Sequence, residues 1–393
     1  MKKVFLDYAS TTPVDPEVLQ TMQPFFTKTF GNPSSIHSFG RAASDAVEQA
    51  RQQIANLLHT KESSIIFTSG GTEADNISIK GIASNHYNDR SKKGPHIITS
   101  CIEHPAVLEP CRFLEKQGFN VAYLPVDSKG IVNSTSLQEV ITNDTFLVSI
   151  MAANNEIGTI QPIQELGRIT HEHDALFHTD AVQAVGKLDI NVDTMNIDLL
   201  SLSSHKIYGP KGVGALYTRQ GIKPIPLFHG GGHEQGLRST TINTPGVVGL
   251  GKACELGVKR LPDDLPYLQH LRDKLIKEVV AIEETYLNGH PKKRLVNNAH
   301  FRFTAIEGES LLLSLDDIGV AAATGSACSS KKLQASHVLL AMGITPEQAH
   351  GSIRFSLGRT TTEEEINYVI EELPKIVKKL RRMSPLWHQQ TKG

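Results

Sequence analysis

Short apolar runs alternate with amphipathic runs between about residue 60 and residue 220 of the chain. This alternation is typical of parallel β-strands joined by crossover helices. The apolar runs predict strands at SIIFTS (64–69), HIITSC, NVAYLPV, FLVSIMAAN, ALFHTD, IDLLSLS and GVGALYT. The segments between them predict helices at GTEADNISIKGIASN, HPAVLEPCRFLEKQ and IQELGRITHEH. The pattern therefore predicts an α/β fold in which a mainly parallel, seven-stranded sheet lies between helices.

The segment LPDDLP, residues 261–266, contains two prolines and two aspartates, a composition typical of a boundary between domains. We therefore predict a large domain over residues 15–262 and a smaller α+β domain formed by residues 1–14 and 263–393. A last long helix is predicted from the TTEEE run onward, with acidic residues at its start and basic residues at its end. Pro374 should kink this helix.

Composition excludes several classes of function. The 393 residues are 39% hydrophobic, enough for two cores, and the formal charge of -1 offers no field to attract nucleic acid or an anionic membrane. The apolar run at the N-terminus is too short for a signal peptide, and no run approaches the ~20 residues of a membrane span, so we expect a cytoplasmic protein. Four cysteines without a CxxC pair suit a reducing compartment.

Candidate functional residues follow the predicted strands, because parallel sheets form ligand sites at the carboxyl ends of their strands. SIIFTSGGT leads from a strand through Gly71 into a helix, and this arrangement directs the backbone N–H of Thr72 towards an anion. A tight turn without a ligand is the alternative interpretation. A helix end carries only about half a positive charge, so a phosphate needs further donors. Ser203, His205 and Thr241 are candidates.

Asp180 ends the predicted strand ALFHTD, and Gln183 lies on the same face if a helical turn begins there. Lys206 follows the strand IDLLSLS. Taken singly, such an aspartate is often a helix N-cap and such a lysine a solvated charge, which is our interpretation of Lys211. The combination of three features indicates a pyridoxal phosphate site. They are a phosphate-binding turn, an aspartate able to pair with a protonated ring nitrogen and a lysine able to bind an aldehyde.

The chain resembles the cysteine desulfurases, in the class V group of aminotransferase-fold enzymes. The motifs that carry the resemblance occur in the family's order: SGGTEADN, EHPAV, NNEIG, HTDAVQ, SSHKIYGPKG, GGGHEQGLRSTT, ATGSACSS and SIRFSLGRTTTEEEI. The match extends from LDYASTTPVD near the start to SPLW near the end. It implies a pyridoxal-phosphate-dependent transferase of fold type I that converts L-cysteine to L-alanine. A selenocysteine lyase, or another class V pyridoxal phosphate enzyme, is the alternative.

The resemblance also implies roles for individual residues around the cofactor. Lys206 would hold the cofactor covalently, Asp180 would pair with its pyridine nitrogen, and Gln183 would bond its ring oxygen. His104 would stack on the ring and help to move protons. The phosphate would be bound by a larger set consisting of Gly71, Thr72, Ser203 and His205, with Thr241 supplied by the partner subunit of a homodimer.

Two further residues match the family's substrate-binding positions. Asn155 and Arg354 would bind the carboxylate of the substrate, although NNEIG alone reads as a turn and Arg354 alone as a structural strand residue. The segment HGGGHEQG contains His229 and His233, but the three glycines between them disfavour the helix that would bring both rings to one metal ion. We therefore predict no metal site.

Cys328 lies in TGSACSSKK, residues 324–332, among small, polar and basic residues instead of an apolar run. Packing explains the other three cysteines, which occur in apolar or helix-like segments. The resemblance makes Cys328 the nucleophile that takes up the sulfur as a persulfide. The two lysines that follow it would stabilise its thiolate, or are solvated charges.

The C-terminal segment SPLWHQQTKG contains Leu386 and Trp387 among polar residues. Either these side chains fold back on their own domain or they dock another protein. The ATGSACSS loop and the SPLW tail resemble the housekeeping desulfurases that serve iron–sulfur cluster assembly. The resemblance therefore implies a cluster scaffold protein and other sulfur acceptors as partners.

Overall fold

The computed structural model describes residues 3–87, 94–325 and 335–390. Its main feature is a seven-stranded sheet with the strand order β2-β8-β7-β6-β5-β3-β4. The strands of this sheet are β2 (Ile65–Thr68), β3 (His96–Ser100), β4 (Asn120–Leu124), β5 (Thr145–Ser149), β6 (Leu176–Asp180), β7 (Leu199–Ser203) and β8 (Gly214–Thr218). Only β8 runs antiparallel to its neighbours. The predicted fold class and all seven predicted strands are therefore confirmed.

Helices lie on both faces of the sheet and in the C-terminal part of the chain. The helices of the described residues are α1 (Pro16–Met22), α2 (Pro24–Thr27), α3 (Ser38–Leu57), α4 (Gly71–Asn76), α5 (Pro105–Glu115), α6 (Ser134–Val140), α7 (Ile163–His171), α8 (Thr244–Val280), α9 (Gly308–Asp317), α10 (His337–Ala341), α11 (Pro346–His350), α12 (Glu363–Met383) and α13 (Pro385–Gln390). A π-helical turn, Ile77–Gly81, continues α4. No helix among the described residues combines enough length and apolar character to cross a membrane.

Two smaller sheets form outside the central one. The first is three-stranded and antiparallel, with β10 (Asn298–Phe303) between β9 (Thr285–Asn288) and β12 (Ser352–Ser356). The second pairs β1 (Val4–Phe5) with β11 (Val320–Ala321) in parallel. Because β1 pairs with a strand more than 300 positions further along the chain, the N-terminal segment belongs structurally to the C-terminal part.

The hydrophobic core is divided in the same way. One cluster includes Val18 and Ile54 and packs on one face of the central sheet, while Ile66 and Leu147 belong to a cluster on the other face. A separate cluster joins Leu6 and residues from 268 to 377. The N-terminal segment and the C-terminal part therefore share one cluster, while the predicted domains stay a prediction.

Helix α8 runs without interruption through LPDDLP, the segment predicted to mark the domain boundary. Pro262 and Pro266 both lie inside this helix of 37 residues. Asp264, between the two prolines, forms an ion pair with Arg359. Helix α12 begins as predicted at the acidic run, where Thr362 and Glu365 form a reciprocal capping box. Pro374 lies inside α12.

Candidate active site

A cavity of about 390 Å³ lies beyond the carboxyl ends of β6 and β7, where the α/β fold was expected to form its site. Asp180 ends β6 and Ser203 ends β7, and a single 3₁₀ turn, Ser204–Lys206, then carries Lys206 to the cavity wall. Most of the sequence-predicted site residues line this cavity: Gly71, Thr72, His104, Asn155, Asp180, Gln183, Ser203, His205, Lys206 and Arg354.

The Lys206 amine is held against the N-terminal segment of the chain. Its Nζ donates hydrogen bonds to the carbonyl oxygens of Ala9, at 2.5 Å, and Ser10, at 2.8 Å. Gln183 Nε2 donates to the same Ala9 oxygen at 2.9 Å. The predicted lysine and glutamine are thus connected through a backbone group from the chain's first ten residues, a connection that the sequence did not indicate.

Asp180 is buried in the cavity wall, with 6% of its surface exposed. Its Oδ1 accepts a hydrogen bond from the Val182 backbone N–H at 2.9 Å. Burial raises the pKa of this carboxyl, while the nearby His104 ring, the Val182 N–H and the Lys206 ammonium oppose the increase. A cationic group placed beside Asp180 would therefore be bound strongly, because it would stabilise the ionised carboxylate that burial disfavours.

His104 caps the N-terminus of α5 with its own side chain. Its Nδ1 accepts a hydrogen bond from the Ala106 backbone N–H at 3.1 Å, so the proton of the neutral ring is on Nε2. Burial lowers the pKa of His104 and the Lys206 charge lowers it further, whereas Asp180 acts in the opposite direction. The ring is consequently neutral at physiological pH and carries its proton on Nε2, where it can donate a hydrogen bond.

The end of the cavity nearest Gly71 provides donors for an anion. A Cβ at Gly71 would lie 2.5 Å from Val182 Cγ2, so only glycine fits at the start of α4. His205 Nδ1 is hydrogen-bonded to the Thr11 hydroxyl at 3.2 Å. Burial lowers the pKa of His205 to about 4, and Lys206 and Lys211 contribute to the decrease. His205 is thus a neutral donor or acceptor here, not a cation.

Arg354 of β12 forms the far end of the cavity and is almost fully buried. Its guanidinium donates to the Asn155 carbonyl oxygen at 2.8 Å, the Asp7 carboxylate at 2.9 Å and the Ser10 hydroxyl at 2.9 Å. Its Nε is buried and has no hydrogen-bond partner within the described ranges. An unsatisfied buried cation donor of this kind favours the entry of an anion such as a carboxylate.

One predicted site residue does not line the cavity of this chain, and another lies outside the described residues. Thr241 is exposed, and its assignment to the site of a partner subunit stays a prediction. Cys328 lies outside the described residues; Gly325, the last residue described before it, is part of the cavity wall.

The cavity also contains acidic side chains that sequence reasoning missed. Asp75 and Glu156 belong to its lining, and Glu103 lies just behind it. Burial raises the pKa of Glu103 to about 8 and that of Glu156 to about 7. All three residues occur within motifs already singled out, but spacing along the chain does not show that their side chains point inward.

The chain is similar to a known protein family and to known relatives over nearly its whole length. The family described as Aminotransferase class-V matches residues 4–369. The chain is 54% identical to the cysteine desulfurase IscS of Clostridium botulinum (strain Hall) over 396 aligned positions, which cover 100% of this chain and 98% of that protein. It is also 54% identical to the cysteine desulfurase IscS of Dictyoglomus turgidum, over 98% of this chain and 97% of that protein.

Solved structures give the same result. A structure described as a NifS-like protein matches with a TM-score of 0.90 and 39% identity, over 96% of this chain and all of that one. A structure described as SspA in complex with cysteine matches with a TM-score of 0.81 and 39% identity, over 90% of this chain and 99% of that one. The chain therefore belongs to the class-V aminotransferase family and, within it, to the cysteine desulfurases. The expected family and fold are confirmed.

The cofactor of this family is pyridoxal 5'-phosphate, and the cavity fits it in three respects. Lys206 supplies an amine for the aldehyde, and Asp180 supplies a buried carboxylate for the ring nitrogen. The start of α4 at Gly71 and Thr72 lies in the cavity wall, where its backbone N–H groups can bind a phosphate.

Proposed function

We propose that this protein is a pyridoxal-phosphate-dependent cysteine desulfurase that converts L-cysteine to L-alanine and passes the sulfur to acceptors for iron–sulfur cluster assembly and other thio-cofactor pathways. The observation that carries the proposal is the single cavity that contains Lys206, Asp180 and Arg354. These residues supply, in that order, an amine for an aldehyde, a charge partner for a ring nitrogen and a site for an amino-acid carboxylate. Identity of 54% to desulfurases over the full length supports the substrate class.

The substrate's carboxylate would bind to Arg354 and Asn155. Arg354 is held in place by the Asn155 carbonyl, Asp7 and Ser10, so little side-chain entropy is lost when a carboxylate arrives. The unpartnered Nε provides a donor that no described residue uses. This end of the cavity would thereby fix the position of the amino acid's carboxylate.

When bound, pyridoxal phosphate acts as an electron sink for the Cα of an amino acid. The residues of the chain would have distinct tasks around it. Lys206 would hold the cofactor and is the base nearest to Cα, and Asp180 would keep the ring nitrogen protonated. Gln183 would bond the ring oxygen. The phosphate would be bound by the start of α4 at Gly71 and Thr72 together with Ser203 and His205.

His104 would present the proton on its Nε2 atom to the bound cofactor or substrate. The Ala106 N–H occupies Nδ1, which fixes the tautomer, and burial lowers the pKa of the ring and keeps it neutral, so Nε2–H is a hydrogen-bond donor. Its position in the cavity wall next to Pro105 also allows the ring to lie against the flat face of a bound cofactor.

Cys328 would be the sulfur acceptor. Its thiolate attacks the sulfur of the bound L-cysteine, so that a sulfur–sulfur bond forms while the bond between that sulfur and Cβ breaks. Cβ retains the electron pair and takes up a proton, and L-alanine leaves. The persulfide on Cys328 then passes its outer sulfur to an acceptor thiol. The small residues around Cys328 suit a segment that must bring the thiol both to the cofactor and to an acceptor outside the cavity.

The quaternary partners are part of the proposal. Thr241 is exposed in the single chain, and its hydroxyl would complete the phosphate site of a second copy in a homodimer. A cluster scaffold protein would be one acceptor of the sulfur. A cytoplasmic location stays a prediction.

The test is to mix the purified protein with pyridoxal phosphate, L-cysteine and a thiol reductant and to measure sulfide and L-alanine together. The proposal predicts equal amounts of both products. Release of sulfide with pyruvate in place of alanine would indicate a β-elimination enzyme and contradict the proposal. A parallel assay with L-selenocysteine distinguishes the alternative, since a selenocysteine lyase would use that substrate and release little sulfide from L-cysteine.

A further inference from the structure

A second carboxyl group lies close to Asp180, in a buried cluster that the proposed mechanism does not use. Asp75 on α4 is 1% exposed and lines the same cavity. Its Oδ1 is 3.6 Å from Nε2 of His178, a fully buried residue of β6. The His178 ring is hydrogen-bonded through Nε2 to the Ser201 hydroxyl at 3.1 Å and through Nδ1 to the Ser149 hydroxyl at 2.8 Å. The cluster thus extends from the cofactor cavity into the central sheet.

The two carboxyl groups differ in what surrounds them. Asp180 accepts a backbone hydrogen bond and lies near the charges of Lys206 and His104, which favour its ionised form. Asp75 has less support, since its Oδ1 is buried without a hydrogen-bond partner among the described residues and only a smaller effect of the Ser201 hydroxyl favours its ionised form. Two buried carboxylates at one site cannot both ionise at low cost, so one proton is retained.

The groups that face Asp75 do not supply a cation. Burial lowers the pKa of His178 to about 3, so its ring is neutral. Glu103 is the other acidic group nearby, and it adds to the repulsion. Burial raises the pKa of Asp75 well above its usual value, and the Asp180 carboxylate raises it further, against a smaller opposing effect of the Ser201 hydroxyl.

We propose that Asp75 is a positioning residue that stays protonated at physiological pH, and that Asp75 and His178 together keep Asp180 as the single negative charge at this end of the cavity. Asp75 Oδ1 lies 3.6 Å from Nε2 of His178, whose ring is held by the Ser149 and Ser201 hydroxyls, so that Asp75 faces a neutral ring and not an imidazolium. The ring nitrogen of the cofactor would then lie beside one negative charge instead of two, and this single charge would set its proton affinity. This inference rests on the proposed role of Asp180.

The protonation state can be measured directly by infrared spectroscopy of the wild-type protein, without and with its cofactor. The difference spectrum between wild type and Asp75→Asn should contain the C=O band of a neutral carboxylic acid, and that band should persist from about pH 6 to pH 8 because the group remains protonated. A carboxylate band in its place would overturn the proposal. Because this measurement needs no turnover, its result is independent of whether the chain desulfurates cysteine.

The positioning role is tested by the pH titration of the visible absorption of bound cofactor. Asp75→Asn keeps an uncharged hydrogen-bonding group of the same shape, so its midpoint should match that of the wild type. Asp75→Leu removes the polar group beside His178 and should shift the midpoint by about one pH unit, equivalent to a tenfold change in proton affinity.

A shift in the Asn variant as large as that of Asp180→Asn would show that Asp75 carries charge and would contradict the proposal. An unchanged midpoint in the Leu variant would remove the positioning role. Should the Leu variant fail to fold, His178→Gln takes its place, since it breaks the same contact from the other side and should shift the midpoint in the same direction. An unchanged midpoint in this variant would equally remove the positioning role.

Discussion

Arg354 donates a hydrogen bond of 2.9 Å to the carboxylate of Asp7, although 347 positions separate the two residues in the chain. The contact joins the N-terminal segment to β12 and fixes one guanidinium nitrogen, while Nε of the same group has no partner among the described residues. The arginine is therefore oriented before any ligand binds. The consequence is that its geometry, and not only its charge, should determine the affinity for the substrate.

Replacement of Arg354 by lysine tests this geometry. The variant keeps the charge but loses the planar fork, so we expect the KM for L-cysteine to rise about tenfold or more while the bound cofactor is retained. Arg302→Lys is the matched control, because Arg302 lies on the adjacent strand β10 and stacks on Tyr286, away from the cavity. An unchanged KM for Arg354→Lys would show that the carboxylate binds elsewhere.

Lys206 should be the residue that holds the cofactor covalently. The wild-type protein should be yellow as isolated, and Lys206→Ala should lose the colour due to covalent attachment, since only an amine at that position can react with the aldehyde. Lys211→Ala is the control, because that side chain is exposed. Borohydride reduction followed by peptide mapping checks the assignment, and a pyridoxyl label on Lys211 would refute it.

Cys328→Ser should separate cofactor binding from sulfur transfer. The variant should keep its colour and bind L-cysteine but release almost no sulfide, because a hydroxyl cannot carry sulfane sulfur. Cys111→Ala and Cys254→Ala are controls for the other thiols; both residues are buried, so these variants should lose some stability but retain activity. Sulfide release by Cys328→Ser near the wild-type rate would exclude the proposed nucleophile.

The sequence predicted the central sheet well because each of its strands is a short apolar run bounded by turn residues. It also predicted the residues at the strand ends, such as Asp180 and Lys206, since parallel strands bring their carboxyl ends together. It could not predict that Ala9 and Asp7 complete the site, because those contacts join segments separated by 174 to 347 positions. The two prolines of LPDDLP indicated a domain boundary, yet Pro262 and Pro266 lie inside the continuous helix α8, where Asp264 pairs with Arg359.

A buried ion pair holds the glycine-rich loop that carries Thr241. Arg51 of α3 donates two hydrogen bonds of 2.9 Å to the Glu234 carboxylate, which also accepts from the Phe67 backbone N–H at 2.7 Å. Glu234 and Gln235 have positive φ angles of 48° and 57°, so the loop is held in a conformation that these residues seldom adopt. The Arg51–Glu234 pair therefore stabilises a loop whose backbone is strained at Glu234 and Gln235.

Glu234→Gln should lower the free energy of unfolding by about 3 kcal/mol, because buried Arg51 loses its buried charge partner and keeps only the more exposed Glu48. The measurement is urea denaturation of the purified protein. The control is Glu109→Gln, which removes the exposed ion pair of Glu109 with Arg112 and should change stability by less than about 1 kcal/mol. Equal effects of the two substitutions would mean that the buried pair contributes no more than a surface one.

The contacts of the C-terminal helix α13 bear on whether the tail covers its own domain or docks another protein. The guanidinium of Arg381 lies 4.3 Å from the centre of the Trp387 ring, so the tryptophan packs on its own α12, whereas Leu386 remains about half exposed. Deletion of residues 384–393 should therefore leave sulfide release from L-cysteine nearly unchanged and weaken persulfide transfer to a cluster scaffold protein. Leu386→Ser should weaken transfer in the same way, because it removes an exposed apolar contact without disturbing the Trp387 packing. If sulfide release and transfer fall together in the truncated protein, the tail acts as a structural cover for the small domain and does not dock a partner.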